Sequence, residues 1–478
     1  MFKSTRAAML LGAALLAPLA TPVQAQEAAR QLEPTVAAVP AKTAFRAALY
    51  EAQNVSPARA RQHLAAALQA DPDFALAQVY QTVIAAGLTA PERESRIAPV
   101  LGPIGNASPA EVLLALYWRE TAAGRGAAAV PILRAAAELV PDDPEIAYMY
   151  DNTQRTGKSA TEAAASLRRF LERFPTHAAA HNQLAYTLWR ADDPEGALAA
   201  VQQYAKHAPE HPNAHDSYAD ILLLLGRGAE ALPHVQREIE LDPDFDGAHA
   251  KLGSIYLTMG KVKEAREHFA TAASRSTTPA ARIVAMHWQA TSHVYAGDPR
   301  SAVQELMRIA EVAKTENMPA AVSIAFNRAA VIDAHIGNRK AVPAHLAAAA
   351  AAAVNDDQRA TAQAHAAVAL SRMGKAEEAG MAAKQFAALA PDNEFAPALA
   401  AILALDTKNY AAAESALGNV DAMDPLAKAL RAELLMRTGR DADGKALREE
   451  VLSSSLKMDG NPPVEFLSVI ARMRASKL

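Results

Sequence analysis

One spacing constrains this sequence more than any other feature: between residues 110 and 274 the same pattern returns every 34 residues. Two ladders of residues show it, the prolines Pro141, Pro175, Pro209 and Pro243 and the alanines Ala129, Ala163, Ala197, Ala231 and Ala265. A unit of this length cannot bury its apolar face alone, so its copies must stack side by side. The spacing therefore predicts a linear array of small structural units.

The unit that begins at Asp246 shows what each copy contains. Residues at helical spacing indicate a first helix, a glycine marks a turn, and small and aromatic residues indicate a second helix. They are His249, Leu252, Gly253, Tyr256, Gly260, Ala265, Phe269 and Ala272. The small residues lie where the two helices approach closely, and the larger ones fill the space between them. This pattern resembles the tetratricopeptide repeat, with His249 where that family most often has Trp and Thr277 where the closing Pro would be.

The resemblance implies an all-α fold, a right-handed α-solenoid of about twelve tetratricopeptide-like helical hairpins. We expect an N-terminal part of the solenoid over 41–277, a C-terminal part over 278–447 and a capping helix region over 448–478. The residues expected to cover the exposed end of the stack are Phe466, Leu467, Ile470 and Met473. The sequence leaves open the register of the helical pairs between 275 and 357.

The first 25 residues have the pattern of a signal peptide. Lys3 and Arg6 precede an apolar run over 7–20, and Val23-Gln24-Ala25 is a small-x-small cleavage site before Gln26. The run is shorter than the roughly 20 residues that a spanning helix needs. We therefore expect export, a periplasmic location in preference to an extracellular one, and no stable membrane insertion after cleavage. Residues 26–40 are predicted to form a polar linker.

Charge argues against nucleic acid as a partner. The formal net charge of the whole chain is −4, and removing the two basic residues of the signal peptide makes the mature chain more acidic. A mildly acidic protein has no general attraction for polyphosphates or anionic lipid surfaces. Partners are therefore expected among other envelope proteins or peptide segments, with a polysaccharide as an alternative.

No motif in the sequence indicates a catalytic, cofactor-binding or metal-binding site. Thr156-Gly157-Lys158-Ser159 ends like a phosphate-binding loop, but it lacks the earlier glycine and the preceding strand, so we interpret it as an inter-helix turn. Asp441 and Asp443 with Gly444 are similar to the start of a calcium loop, but the glycine comes too early. No set of nucleophile, base and orienting residue can be placed on converging elements. The chain is therefore predicted not to be an enzyme.

Two histidine pairs at i, i+4 spacing permit two interpretations. His177 with His181 and His211 with His215 lie in the same register at the start of first helices, and such pairs can chelate zinc. No third ligand is visible, and His181, His215 and His249 occupy the place where the family packs a large ring. Packing is therefore favoured over a metal site.

The first helices carry a stripe at i, i+4, i+7 spacing that faces inward in the family's superhelix. It supplies the candidate ligand groove, formed by Trp118, Tyr148, Asn152, Arg155, Asn182, Tyr186, Trp189, Asp216 and Asp220. Aromatic faces bury area and amides satisfy backbone or hydroxyl groups, which suits an extended peptide or a glycan. The alternative is that these rings pack between repeats.

This stripe predicts a non-catalytic protein–protein interaction scaffold of the bacterial cell envelope that binds an extended partner segment in its concave groove. Two alternatives stay open from the sequence. One is a glycan-binding solenoid in exopolysaccharide or envelope assembly, and the other is a regulatory subunit of an envelope enzyme. Fold alone does not decide between them.

Overall fold

The protein was analysed as a computed structural model that describes residues 30–36, 38–102, 107–243, 247–420, 424–453, 470 and 473–477. The predicted signal peptide over 1–25 lies outside these residues, as do Phe466 and Leu467. The described regular structure is all α-helix. No helix in these ranges is both long and apolar enough to cross a bilayer.

In the described ranges, twenty-four helices follow one another as twelve pairs, which confirms the predicted all-α repeat fold. The first seven pairs are α1 (Val39–Gln53), α2 (Pro57–Ala70), α3 (Ala75–Val83), α4 (Ala90–Leu101), α5 (Pro109–Ala122), α6 (Gly126–Leu139), α7 (Pro144–Arg155), α8 (Ala160–Arg173), α9 (Ala178–Arg190), α10 (Pro194–His207), α11 (Pro212–Leu224), α12 (Gly228–Leu241), α13 (Ala248–Thr258) and α14 (Val262–Arg275). The remaining five pairs are α15 (Pro279–Tyr295), α16 (Pro299–Thr315), α17 (Pro319–Ile336), α18 (Val342–Ala352), α19 (Asp356–Arg372), α20 (Ala376–Leu389), α21 (Ala396–Asp406), α22 (Tyr410–Leu417), α23 (Pro425–Arg437) and α24 (Asp441–Ser453).

The turn at Thr156–Ser159 shows how the sequence ends one helix and starts the next. Gly157 has a φ of +78°, in the left-handed region that a glycine adopts without strain. Ser159 then caps α8, accepting a hydrogen bond from the Glu162 backbone N–H while the Glu162 carboxylate accepts one from the Ser159 N–H. The segment is therefore an inter-helix turn, as predicted.

The helix crossing in the α13–α14 pair leaves no room for a larger side chain. Ala265 and Phe269 are fully buried, and an added Cβ on Gly253 would stand 2.5 Å from Cε1 of Phe269. The ring is held in turn by Trp288, stacked at 5.8 Å between ring centroids. Glycine is thus required at residue 253 by the ring of the facing helix.

We expect Gly253→Ala to destabilise the protein by roughly 1–3 kcal/mol, because the new methyl group overpacks the crossing. Gly380→Ala is the matched control, since Gly380 is also helical but an added Cβ there meets nothing within 4 Å. That variant should be stabilised by up to about 1 kcal/mol through helix propensity alone. Urea titrations followed by circular dichroism measure both effects, and shifts of equal sign would contradict the predicted crossing.

The described residues form two compact units. Unit 1 contains the described residues of Met1–Ala52 and Pro57–Gln154, and unit 2 contains Gln53–Ser56 and Arg155–Leu478. The division falls within α7. Within unit 2, the helices that follow residue 277 are longer, because α15 and α16 have 17 residues each and α17 has 18.

Residues 30–36 are docked on unit 1, which departs from the expected polar linker. The backbone N–H of Arg30 donates to Asp142 Oδ2 at 3.0 Å, and that of Leu32 donates to Asp143 Oδ2 at 3.0 Å. The Thr35 N–H donates to Glu111 Oε1 at 3.1 Å, and the Leu32 side chain is buried. Carboxylates at helix starts hold this extended segment through its backbone, which composition alone could not reveal.

Candidate functional site

In unit 1, the predicted groove residue Trp118 belongs to the core. It is 3% exposed and stacks on Tyr80 with ring centroids 4.4 Å apart, while Phe45 meets it edge-on at 6.3 Å. The packing alternative therefore holds for Trp118, because its ring fills the space that three helices enclose. Tyr148 is half-buried and Asn152 is exposed on α7.

In unit 2, five predicted residues lie on two successive first helices, α9 and α11. We call them the first-helix row: Asn182, Tyr186, Trp189, Asp216 and Asp220. Asn182 is buried, and the other four are partly buried. The ninth predicted residue, Arg155, is buried at the end of α7.

The row is tied to the next first helix, α13, by a buried lysine. Lys251 Nζ lies 2.6 Å from Asp220 Oδ1, is also in contact with Asp216 Oδ1, and donates to the Asp216 backbone carbonyl at 3.2 Å. Tyr186 Oη donates to Asp220 Oδ2 at 2.9 Å. A continuous set of polar contacts therefore links α9, α11 and α13, and charged partners hold the two aspartates in fixed positions.

Burial sets the electrostatics of this cluster. Burial raises the pKa of Asp216 to about 6 against the opposing effect of Lys251, and it raises the pKa of Glu238, on α12, to about 9. For Lys251, burial alone would lower the pKa, but Asp216, Asp220 and Glu238 raise it well above its ordinary value. Near neutral pH the cluster thus holds a cationic lysine, and Glu238 is protonated.

Protonation of Glu238 explains how its side chain can lie beside a second carboxyl group, that of Asp216. The Glu238 side chain is fully buried, and within the described ranges neither of its oxygens accepts a hydrogen bond from a donor. When protonated, its carboxyl can donate to the Asp216 carboxylate, and that interaction favours the neutral form of Glu238.

We expect Glu238→Gln to be more stable than the native chain at alkaline pH, because a neutral amide replaces a carboxyl that must otherwise lose its proton. The folded pKa of Glu238 lies above its unfolded value, so the native contribution is complete below about pH 4.5 and is lost as the pH rises through about 9. The stability of Glu238→Gln relative to the native chain, followed by thermal melting, should therefore rise between pH 6 and 9, by at most about 1.4 kcal/mol per pH unit. Glu240→Gln, at a site 66% exposed on the same helix, should show no such trend.

On the first helices α9, α11 and α13 of unit 2, two buried polar side-chain atoms have no hydrogen-bond partner among the described residues. They are Asn182 Oδ1 on α9 and Ser254 Oγ on α13, and no hydrogen bond reaches either from the part of the chain that the structure describes. Buried polar side-chain atoms are almost always hydrogen-bonded, so these two are exceptions among the described residues. Asn182 is one of the predicted site residues, whereas Ser254 is not.

The histidines that sequence spacing singled out are used as helix caps and packed pairs. His177 Nδ1 accepts a hydrogen bond from the Ala180 N–H at 3.1 Å, and His211 Nδ1 accepts one from the Asn213 N–H at 3.2 Å. The ring of His215 donates from Nε2 to the Pro209 carbonyl at 2.9 Å, so its Nδ1 accepts a hydrogen bond from His234 Nδ1, 3.3 Å away. No group of three metal-ligating side chains is found among the described residues.

Sequence reasoning missed Lys251 and Glu238, the two groups that fix the charge of the cluster. Lys251 immediately precedes Leu252 on a helix that has a buried face. A lysine next to a packing residue is the sequence feature that could have identified it. Glu238 carried no comparable signal, since acidic residues are common on second helices. Only the contact across helices shows that both face Asp216.

Comparison with known proteins gives matches to one family. The model of the tetratricopeptide repeat matches residues 154–206 and 182–244, and comparison with curated proteins gives no match. Among solved structures, the chain is similar to TTC0263, a thermophilic tetratricopeptide-repeat protein of Thermus thermophilus, with 21% identity over 37% of this chain and 98% of that one (TM-score 0.32). It is also similar to YrrB, with 18% identity over 38% and 91% (TM-score 0.32), and to PilW, with 18% identity over 46% and 96% (TM-score 0.34).

The family assignment depends on the matched repeats and on the paired helices that contain them. Residues 154–244 include the α9–α10 and α11–α12 pairs, and these bear the first-helix row. Residues 154–244 of this chain are therefore tetratricopeptide repeats, within a fold built of paired helices.

Proposed function

We propose that this protein is a non-catalytic interaction scaffold whose first-helix row binds an extended segment of a partner protein. The observation that carries this proposal is the row itself, in which the half-buried Trp189 ring on α9 is followed by two partly exposed carboxylates on α11 that Lys251 holds in place.

The neighbours of Asn182 favour a peptide with apolar and cationic side chains. Trp189 lies two turns further along α9 and is half-buried, so its ring can cover an apolar side chain. The side chains of Asp216 and Asp220 are 18% and 26% exposed. Each forms its ion pair with Lys251, so the two ionised carboxylates and one lysine leave a net negative charge at the row, which attracts a positive group.

The row is also held in shape before a partner arrives. Contacts from Tyr186 to Asp220 and from Lys251 to both aspartates fix the side chains of three consecutive first helices. A surface that is already ordered loses less conformational entropy on binding, so more of the interaction energy contributes to affinity.

The envelope location is part of the same proposal, and the residues that support it are the basic start, apolar run and Val23-Gln24-Ala25 of the sequence. The partner would then be another periplasmic protein or a peptide segment of one. Intact mass measured on exported protein should correspond to a chain that begins at Gln26. Exported material that retains residues 1–25 would contradict the cleavage site.

The binding proposal is tested with a displayed library of short peptides selected against the full mature chain. Asn182→Ala and Trp189→Ala are each expected to weaken the selected peptides at least about tenfold, in line with the cost of about 2 kcal/mol or more for truncating a central binding residue. Tyr410→Ala is the matched control, because Tyr410 is a partly buried ring on a second helix, α22.

The same variants separate the alternatives. If envelope polysaccharides bind the chain and depend on Trp189 while no peptide is selected, the glycan-binding solenoid is the better description. If selected peptides bind all three variants equally, the row is not the binding surface. Circular dichroism of each variant establishes that the helices are retained.

A further inference from the structure

The C-terminal segment, here Ile470 and residues 473–477, is packed against the C-terminal helices of unit 2. Ile470, Met473 and Ala475 are buried in the same apolar core as α17 to α24. Lys477 Nζ donates to the backbone carbonyl of His335 on α17, and Arg448 Nε on α24 donates to the Ala475 carbonyl at 2.9 Å. The segment thus contacts helices from α17 to α24, whereas the sequence predicted that it would cover the end of the stack.

Arg474 anchors this segment through two carboxylates on successive first helices. Its guanidinium is fully buried, with Nη2 2.7 Å from Glu433 Oε2 on α23 and 3.2 Å from Asp406 Oδ1 on α21. Nε of Arg474 also donates to Glu433 Oε2 at 2.9 Å. A buried guanidinium held by two carboxylates is a specific contact, since a lysine ammonium could not reproduce its planar fork.

The two carboxylates have other partners that would stay if Arg474 left. Arg372 on α19 lies 3.3 Å from Asp406 and 3.7 Å from Glu433, and Arg437 lies 3.6 Å from Glu433. Ser371 Oγ donates to Asp406 Oδ2 at 2.8 Å. Removal of Arg474 therefore does not leave either carboxylate as an isolated buried charge, which is the usual reason why a buried ion pair cannot be opened.

The Arg474 guanidinium also repels a second cation of this cluster, the guanidinium of Arg372. Burial lowers the pKa of Arg372, and the adjacent Arg474 guanidinium lowers it further. Departure of Arg474 would relieve this repulsion between like charges.

We propose that the surface of α17, α19, α21 and α23 is an exchangeable binding site for an arginine-bearing apolar peptide segment, and that the chain's own C-terminal segment occupies it as an internal ligand. A partner segment would have the same chemistry, an apolar residue followed four residues later by arginine, as in Ile470 and Arg474. Such a partner gains access only by displacing residues 470–477. This site uses helices other than those of the first-helix row, so it goes beyond the function proposed above.

The test uses full-length chains and a fluorescein-labelled peptide of residues 470–478, with binding measured by fluorescence anisotropy. Arg474→Ala in the chain weakens the internal ligand, so the peptide should bind this variant at least about tenfold more tightly than it binds the native chain, a difference of about 1.4 kcal/mol. A peptide with the same Arg474→Ala change should bind neither chain. Adding Glu433→Gln to the variant chain should remove the peptide binding.

Arg359→Ala is the matched control, because it deletes an arginine whose side chain is 53% exposed near the start of α19, at the opposite end of that helix from Arg372. It should leave peptide affinity at the native level. If Arg474→Ala loses helical content, Lys477→Ala serves as the second variant, since it loosens the segment while the carboxylates stay paired.

Three results would overturn the proposal. One is a well-folded Arg474→Ala chain that binds the peptide no better than the native chain, because Arg474 would then be a structural ion pair only. Another is equal binding of the two peptides, since recognition would not involve the carboxylates. The third is a native dimer, detected by light scattering, that Arg474→Ala abolishes, because the segment would then fill the site of a second copy. Loss of peptide selection at Trp189 has no bearing on any of these results.

Discussion

Replacing Lys251 by Met is expected to lower the free energy of unfolding by about 3–5 kcal/mol, the usual cost of removing one partner from a buried ion pair. The Lys251 side chain is 8% exposed and pairs with both Asp216 and Asp220. Without it, two carboxylates stay close together in a largely buried position and lose the charge that both of them contact. The effect should be largest above about pH 6, because Asp216 takes up a proton below that value.

The control for this variant is Lys263→Met, which makes the same change at a side chain 88% exposed. It should shift stability by less than about 0.5 kcal/mol, as surface substitutions do. Adding Asp216→Asn to Lys251→Met should recover part of the loss, because one unpaired charge is removed. Urea unfolding at pH 8 measures all three chains, and equal stability of Lys251→Met and Lys263→Met would show that the cluster is not buried in solution.

The repeat spacing predicted most of the fold, for a physical reason. Ala231 and Ala265 recur because every helix crossing needs a small residue, so a crossing repeated along the chain appears in the sequence as a period. Capping residues before helices follow the same logic, as Ser159 and Asp193 show. Local rules of this kind can be recognised in the sequence of a single repeat.

The site was less predictable because it depends on contacts between repeats. Periodicity placed Tyr186, Asp216 and Asp220 on one stripe, but it did not show that Lys251 would pair with the aspartates. It also treated Trp118 like Trp189, although the first is enclosed by neighbouring rings and the second is half-buried. The boundary at residue 155 and the return of Arg474 to α21 and α23 are long-range features that leave no periodic trace.

Acidification is expected to produce the largest loss of stability in this protein, because burial lowers the pKa of nine histidines. They are His181, His234, His249, His268, His287, His293, His335, His345 and His365. Their folded pKa values lie below the unfolded value, so their contribution is complete above about pH 6.5 and is lost as the pH falls through the folded values. Asp216, Glu238 and Asp333 act in the opposite direction, since burial raises their pKa values.

Three histidines on the first helices α15, α17 and α19 should dominate the acid response. Burial lowers the pKa of His287 and His335 well below 6.5 and that of His365 to about 4, and the Arg328 guanidinium adds to the effect at His287 and His365. One ring N–H of His335 and one of His365 already donate to backbone carbonyls, at 2.9 and 2.8 Å. A second proton on either ring would therefore add little hydrogen-bond energy. Each such group should therefore lower the free energy of unfolding between pH 7 and pH 5, by at most about 2 kcal/mol.

A triple variant, His287→Gln with His335→Gln and His365→Gln, isolates the contribution of these histidines to the acid response. The carboxyl groups that act in the opposite direction are present in both the native chain and the variant, so their effect cancels in the comparison. Between pH 7 and pH 5 the native chain should lose more stability than the variant, by up to about 5 kcal/mol, as measured by urea unfolding at each pH. Between about pH 7.5 and pH 9 the difference between the two chains should stay constant, because neutral histidines no longer titrate there. A native chain that loses no more stability than the variant on acidification would mean that water reaches these rings and that α15, α17 and α19 do not enclose them.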